Sequence, residues 1–308
     1  MNTFTMRAHG KLLLTGEYAV LDGAKALALP VRYGQTLYAQ RTEKRTLLYW
    51  TSVDAFGTAW FEATFALPTL EIERASDGDV ARRLRELLLG CRRQKADFLA
   101  DLQGWSVRVE ADFPLSWGLG SSSTLITALA RWAGVDPFTL LFDTWGGSGY
   151  DIACALATGP IFYWLDANRI PHVEEALFDP PFADHLFFVF LGKKQDSRAE
   201  VSRFRRGASL PKDWLQAISA LAHQFTAAKT LEAFCQHMRE HEQLLALALA
   251  RTPVQEVLFW DFPGSIKSLG AWGGDFVLAA SPLDAVRTQE YFAQKGFPVC
   301  LSFREMVL

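Results

Sequence analysis

Residues 117–124 read Trp117-Gly118-Leu119-Gly120-Ser121-Ser122-Ser123-Thr124, and this stretch decides the fold. It follows Trp105-Ser106-Val107-Arg108-Val109-Glu110-Ala111, which alternates apolar and polar residues as a half-buried strand does. It precedes Leu125, Leu129 and Trp132, whose spacing is helical. Strand, glycine loop and helix together suit a phosphate: glycines let backbone amides approach an anion closely, and the helix start points its positive end at it. Serine hydroxyls at the same place are positioned to reach a metal. No Lys follows the last glycine as in a Walker motif, and no G-x-G-x-x-G is completed, so the loop is of a third kind. Alone it could be a turn with a serine cap, and its weight comes from the residues around it.

Upstream, residues 3–66 read as short strands rich in β-branched and aromatic residues and punctuated by Gly10, Gly16, Gly23, Gly34 and Gly57, which predicts an antiparallel twisted sheet. Val80, Leu84, Leu87, Leu88 and Cys91 then recur at helical spacing with arginines opposite, predicting an amphipathic helix over 79–94. Downstream, a helix at 137–144 stops at Gly146 and Gly147, another begins near Ser148, and 160–164 reads as a strand. Pro171, Pro180 and Pro181 interrupt 168–184, which has no clean period, and place a domain junction there. Beyond it come a buried strand at 186–191, helices through Leu249, strands at 276–280 and 298–303, and a helix at 283–295. The expectation is two domains, 1–167 and 168–308, with an α+β second domain.

A chain of 308 residues exceeds what a single core usually supports. Half of the residues are hydrophobic, with 23 Phe and 10 Trp, which predicts packed cores and excludes a disordered chain. Apolar runs are of strand length, so no spanning helix or signal segment is expected and the expected compartment is the cytoplasm. Cysteines at 91, 154, 235 and 300 stand far apart, which argues against a zinc site and a disulfide scaffold. The net charge of −3 and short basic groups such as Arg82, Arg83 and Arg85 argue against a nucleic-acid partner.

Three further stretches join the loop. Residues 9–20 read His9-Gly10-Lys11-Leu12-Leu13-Leu14-Thr15-Gly16-Glu17-Tyr18-Ala19-Val20; residues 147–153 read Gly147-Ser148-Gly149-Tyr150-Asp151-Ile152-Ala153; residues 269–275 read Leu269-Gly270-Ala271-Trp272-Gly273-Gly274-Asp275. With Pro114 and Gly118 to Ser122 they resemble, in order, the motifs of the GHMP kinases, the superfamily of galactokinase, homoserine kinase, mevalonate kinase and phosphomevalonate kinase. His9 replaces the family's proline and Trp272 one of its glycines. The family's magnesium-binding Glu has no counterpart beyond Asp143, and the interval from Ser122 to Asp151 is shorter than in mevalonate kinases.

The resemblance implies a two-domain GHMP-kinase-like fold, with an N-terminal mixed β-sheet and helix domain that binds ATP and a C-terminal ferredoxin-like α/β sandwich. It implies ATP and Mg2+ as cofactors, a small-molecule substrate, no membrane partner, and admits a homodimer. Asp151 would be the catalytic base, with Lys11 holding it ionised; Gly118, Leu119, Gly120, Ser121, Ser122 and Ser123 would bind the nucleotide, with Ser122 also on the metal. The Glu17-Tyr18 pair, the Gly273-Gly274-Asp275 turn and the stretch Leu191-Gly192-Lys193-Lys194-Gln195-Asp196-Ser197 are similar to phosphomevalonate kinases. On that likeness Glu17, Tyr18, Ser148, Gly149, Lys193, Arg198, Gly273 and Gly274 would contact the substrate, with phosphomevalonate ahead of mevalonate and a non-catalytic ATP or metabolite sensor as the alternative. Arg and Lys suit an acceptor that already carries a phosphate, since both offer charge-assisted hydrogen bonds to its oxygens.

Overall fold

The computed structural model describes residues 3–43, 46–193, 210–270, 272 and 274–308, and these form two compact units. The first takes in the chain up to Gly10, then Tyr33–Leu115 and Leu119–Leu156. Its sheet runs in the order β5 (Glu71–Ala75), β4 (Ala59–Ala66), β3 (Leu47–Val53), β6 (Trp105–Ala111), and then the second half of the long β2 (Ala26–Arg41). The pairings β3 with β4, β4 with β5 and β2 with β6 are antiparallel. The exception is β3 with β6, parallel from Leu48 opposite Trp105 to Val53 opposite Glu110. Between β5 and β6 the chain crosses over through helix α1 (Gly78–Gln94), as a parallel neighbour requires, so the sheet is mixed and not purely antiparallel.

Helix α1 starts where Asp77 accepts hydrogen bonds from the amides of Asp79 and Val80, satisfying first-turn donors. Its Leu84, Leu87, Leu88 and Cys91 are buried with Trp50, Phe61 and Phe65 of the sheet and with Ile126 and Leu129 of helix α2 (Ser121–Ala133). Helix α3 (Pro137–Thr144) has Asp136 as its cap, bonded to the Thr139 amide, with Pro at its first position. The short helix α4 (Tyr150–Leu156) adds Ile152 and Ala155 to the same core.

The second unit comprises Lys11–Arg32, Ser116–Gly118 and Ala157–Leu308. Here the first half of β2 pairs with β7 (Ile161–Leu165), and β7 with β8 (Pro171–Glu175). Strand β8 falls in the segment that its prolines mark as irregular; it stands at the end of the strand order, and an edge position tolerates a proline's missing N–H. A second, wholly antiparallel sheet has the order β10 (Ser265–Ser268), β11 (Phe276–Ala280), β9 (Leu186–Phe190), β12 (Cys300–Ser302). With helices α5 (Lys212–Ala227), α6 (Leu231–Leu249) and α8 (Ala285–Gln294, after the short α7 at Val254–Leu258) it makes an α/β sandwich. Phe187, Val189, Val277 and Ala279 pack on Phe259, Phe262 and Phe292. All four cysteines are buried and unbridged. Among the described residues no helix is long and apolar enough to cross a membrane.

Candidate functional site

The glycine loop leads directly into α2. Gly118 and Gly120 both have left-handed backbones, φ +67° and +92°, and Gly120 sits at the N-cap position with no side-chain bond capping the helix. Amides of a first helical turn have no intrahelical acceptor, so this helix start combines donors with the positive end of its dipole. Ser122 is exposed, whereas Ser123 is buried and its hydroxyl donates to the Gly120 carbonyl at 2.8 Å. Behind them the buried Thr124 hydroxyl donates to Gln35 Oε1 at 2.8 Å, anchoring the helix start on β2.

Gly118 is fixed from two sides. Lys11 Nζ donates to its carbonyl at 2.9 Å. An ideal Cβ built on Gly118 would fall 1.6 Å from Oδ2 of Asp275, so the Asp275 carboxylate occupies the space where any side chain would stand. A side chain here would have to displace that carboxylate and hold a left-handed backbone, which favours glycine. Gly118, Lys11 and Asp275 are thus brought together. Asp275 was quoted in the sequence only as part of a turn; its contact with Gly118 joins residues 157 positions apart and left no local signal.

Asp151 lies in the first turn of α4, and its Oδ1 accepts from the Ile152 amide at 3.1 Å. The turn before it holds Gly146, Gly147 and Gly149, all at positive φ, with Ser148 partly buried. Asp143 is exposed on α3.

Glu17 and Tyr18 both engage other parts of the second unit. Glu17 is 1% exposed and its Oε1 accepts from Lys267 Nζ at 2.5 Å. Burial pushes its carboxyl up to about 7, against the pull of the Lys267 cation. Tyr18, at φ 61°, accepts on its hydroxyl the Trp272 amide at 2.9 Å and packs with Trp272 and Leu245. Trp272, standing where the resembled motif has glycine, is thereby a buried packing residue. Gly274 is buried and Lys193 exposed. Arg198 and Gly273, with the basic stretch from Lys194 to Arg206, lie outside the described residues. Lys267 and His241, which face Glu17, escaped the sequence reading. Ser265-Ile266-Lys267-Ser268 is too short and polar to read as a strand, although all four of its residues are buried.

No protein-family model and no curated protein matches the sequence. Solved structures do match along nearly the whole chain. Mevalonate kinase of Methanococcus jannaschii superposes with a TM-score of 0.71 at 16% identity, over 97% of this chain and 98% of that one. Phosphomevalonate kinase of Streptococcus pneumoniae, solved with phosphomevalonate and AMPPNP, gives 0.70 at 17% identity over 97% and 99%. Galactokinase of Lactococcus lactis, solved with galactose, gives 0.64 at 15% identity over 97% and 92%. These are members of one superfamily, and with the mixed sheet, the uncapped helix behind the glycine loop and the antiparallel α/β sandwich in place, the fold of this chain is that of the GHMP kinases.

Proposed function

We propose that this chain is an ATP-dependent kinase that transfers the γ-phosphate to a small metabolite, with phosphomevalonate as the first candidate acceptor and mevalonate the second. The observation that carries the reading is the start of α2: two left-handed glycines, no side-chain cap and a run of serines, an arrangement that fits a triphosphate. In this reading the amides of residues 118–122 cradle ATP phosphates within a nucleotide domain of residues 1–167, while 168–308 completes acceptor recognition.

Phosphoryl transfer asks a protein mainly for positioning and charge neutralisation. Lys11, whose ammonium reaches the loop carbonyl, supplies positive charge there. The exposed Ser122 hydroxyl is an oxygen donor of the kind Mg2+ prefers. Among the described residues no group of three His, Cys, Asp or Glu could hold a metal by itself, so the ion would arrive with the triphosphate. Bound there, Mg2+ would neutralise phosphate charge. Where the attacking group is a hydroxyl, as in mevalonate, Asp151 takes its proton; a phosphate oxygen of phosphomevalonate is already largely ionised near neutral pH and leaves Asp151 only the residual proton of the monoanion, with Ser148 and Gly149 beside it as acceptor contacts.

For the acceptor, Lys193 and Arg198 are proposed to grip a phosphate already on the substrate. Support comes from the likeness of residues 191–197 to phosphomevalonate kinases and from Lys193 following strand β9 into solvent. A coupled ADP-release screen over mevalonate, phosphomevalonate, homoserine and galactose tests this directly. Phosphomevalonate should give the highest kcat/KM, and Lys193→Ala should raise the acceptor KM at least tenfold while moving the ATP KM little. A preference for mevalonate that Lys193→Ala leaves unchanged would remove the phosphate grip and keep the kinase.

A further inference from the structure

Glu17, His241, Glu242, Lys267 and Ser268 lie together in the second unit, each 3% exposed or less. Removing ionisable groups from water is costly, and apolar side chains of similar volume often pack as well or better. The cluster therefore calls for a reason beyond packing. None of its members has a role in the phosphoryl transfer proposed above, and the sequence likeness assigns Glu17 to the substrate.

Its hydrogen bonds are unequal. Lys267 Nζ donates to Glu17 Oε1 at 2.5 Å and to the Ser268 carbonyl at 2.7 Å. The Gly16 amide donates to His241 Nε2 at 3.1 Å, which makes that nitrogen an acceptor and puts the ring proton on Nδ1. The same Nε2 stands 3.3 Å from Glu17 Oε2, which has no hydrogen-bond partner among the described residues. With Glu17 ionised, Oε2 and Nε2 oppose each other with lone pairs, and Oε1 pairs with the Lys267 cation. With Glu17 protonated, its O–H can donate to Nε2 only by displacing or sharing the Gly16 amide on that nitrogen's single lone pair, and the charge attraction to Lys267 is gone. One proton thus selects between two bonding states.

The titratable groups facing Glu17 are Lys267 from β10 and His241 and Glu242 from α6. Burial raises Glu17 to about 7, Lys267 opposes that rise and Glu242 adds to it. His241 is held well below its ordinary range by burial and then by Lys267, so the proton resides on Glu17 and not on the imidazole. Glu242, raised by burial, accepts from the amide and hydroxyl of Ser268.

The two bonding states matter because of what is attached. Glu17 follows Gly16 and precedes Tyr18, whose hydroxyl holds the Trp272 amide. Lys267 and Ser268 end strand β10, which pairs with β11 with Ser268 opposite Val277, and Asp275, just ahead of β11, packs on Gly118. We propose that Glu17 is a positioning residue for the phosphate loop: in its ionised form it ties residues 16–18, through Lys267, to strand β10 and its partner β11, ahead of which Asp275 stands, and so sets the wall against which Gly118 is held. Glu17 itself touches no substrate in this account. The inference leans on the kinase reading only for its nucleotide readout.

The test compares the full chain with Glu17→Gln, which keeps the shape and mimics the protonated acid. Affinity for Mg-AMPPNP is measured by calorimetry from pH 5.5 to 8.5, and the nucleotide's own titration is common to both proteins. Wild type should bind about tenfold more tightly than Glu17→Gln at pH 8.5, a difference worth one pKa unit, and the two should converge at pH 5.5. Lys267→Met should show the same flat response, and Lys267→Arg should restore part of the pH dependence. In parallel, NMR of 13C-labelled Glu17 should give a midpoint near 7, and the Gly118 amide signal should follow the same midpoint. Parallel affinity curves for wild type and Glu17→Gln, or Glu17 titrating as an ordinary carboxylate, would overturn the proposal. If neither protein binds nucleotide at any pH, the kinase reading fails and the Gly118 signal decides alone: coupled to Glu17 it upholds the positioning role, and unmoved it refutes it.

Discussion

Gly118 to Ser122 offer backbone amides from a glycine turn, while Glu17, His241 and Lys267 meet out of solvent from elements as much as 250 residues apart. The first region needs almost no side chains: two left-handed glycines and a helix without a side-chain cap present the donors. The second is all side chain, and its charges survive burial only because each faces another. In the proposed reading a contiguous stretch builds the ligand cradle, whereas the geometry that holds it still comes from distant residues. Substitutions that strike one region and spare the other separate these two contributions.

The largest effect should come from Gly118→Ala. The new methyl meets the Asp275 carboxylate and the backbone stands at φ +67°, so the carboxylate or the loop must shift and the contact between them is lost. Nucleotide affinity is expected to fall by two orders of magnitude or more, on the scale of about 3 kcal/mol for a non-glycine residue at a strained φ together with a steric clash. Calorimetry with AMPPNP reads this, and near-normal binding would show that the Asp275 contact does not shape the loop.

Lys267→Met strikes the other region. It leaves Glu17 buried without its cation, and breaking a buried pair costs roughly 3 kcal/mol or more. Urea unfolding at pH 8 should show that loss, and a smaller one at pH 5.5, where Glu17 is protonated and needs no partner. Equal losses at both pH values would mean that the pair's charge is irrelevant to its role.

Ser122→Ala removes a single exposed hydroxyl, so stability should stay within about 0.5 kcal/mol of wild type. The Mg2+ concentration needed for half-maximal turnover should rise several-fold. An unchanged Mg2+ dependence would take Ser122 off the metal.

The most specific effect is on stability against pH. The folded-state value of Glu17, about 7, lies above its ordinary 4.5. The folded chain therefore holds a proton that the unfolded chain releases, and this stabilisation is full below pH 4.5 and lost as pH rises through 7. The stability of wild type minus that of Glu17→Gln should accordingly decline between pH 5 and pH 8. Affinity should move in the opposite direction, favouring the ionised form at the expense of stability. A difference that stays flat, or rises with pH, would reverse the sign on which the cluster's role depends.

Much of the fold could be read in the sequence because its signals are local. Alternation marks β6 (Trp105–Ala111), helical spacing marks α1, and Asp136-Pro137 starts α3 where the sequence places it. The parallel pairing of β3 with β6 was not legible, since it depends on which edge the α1 crossover returns to. Strand β10 escaped because burial on every side lets Ser and Lys stand where period-two alternation expects apolar residues. The loop at Gly118 and Gly120 announced itself through glycine chemistry. Glu17 was visible only as part of a motif, and its partner Lys267 could be identified only once the fold had placed it.

The central claim, phosphoryl transfer at the glycine loop with Asp151 as base, is tested most directly by acceptor-dependent ADP release from wild type and Asp151→Asn under saturating Mg-ATP, with mevalonate and phosphomevalonate each as acceptor. Wild type should release ADP in proportion to acceptor consumed. Asp151→Asn should lose about 10²- to 10⁴-fold in kcat on an acceptor that reacts through a hydroxyl, the range for removing a general base, while binding AMPPNP as wild type does. Equal kcat in the two proteins on such an acceptor, or no acceptor-dependent ADP from wild type with any small-molecule acceptor tried, would contradict it.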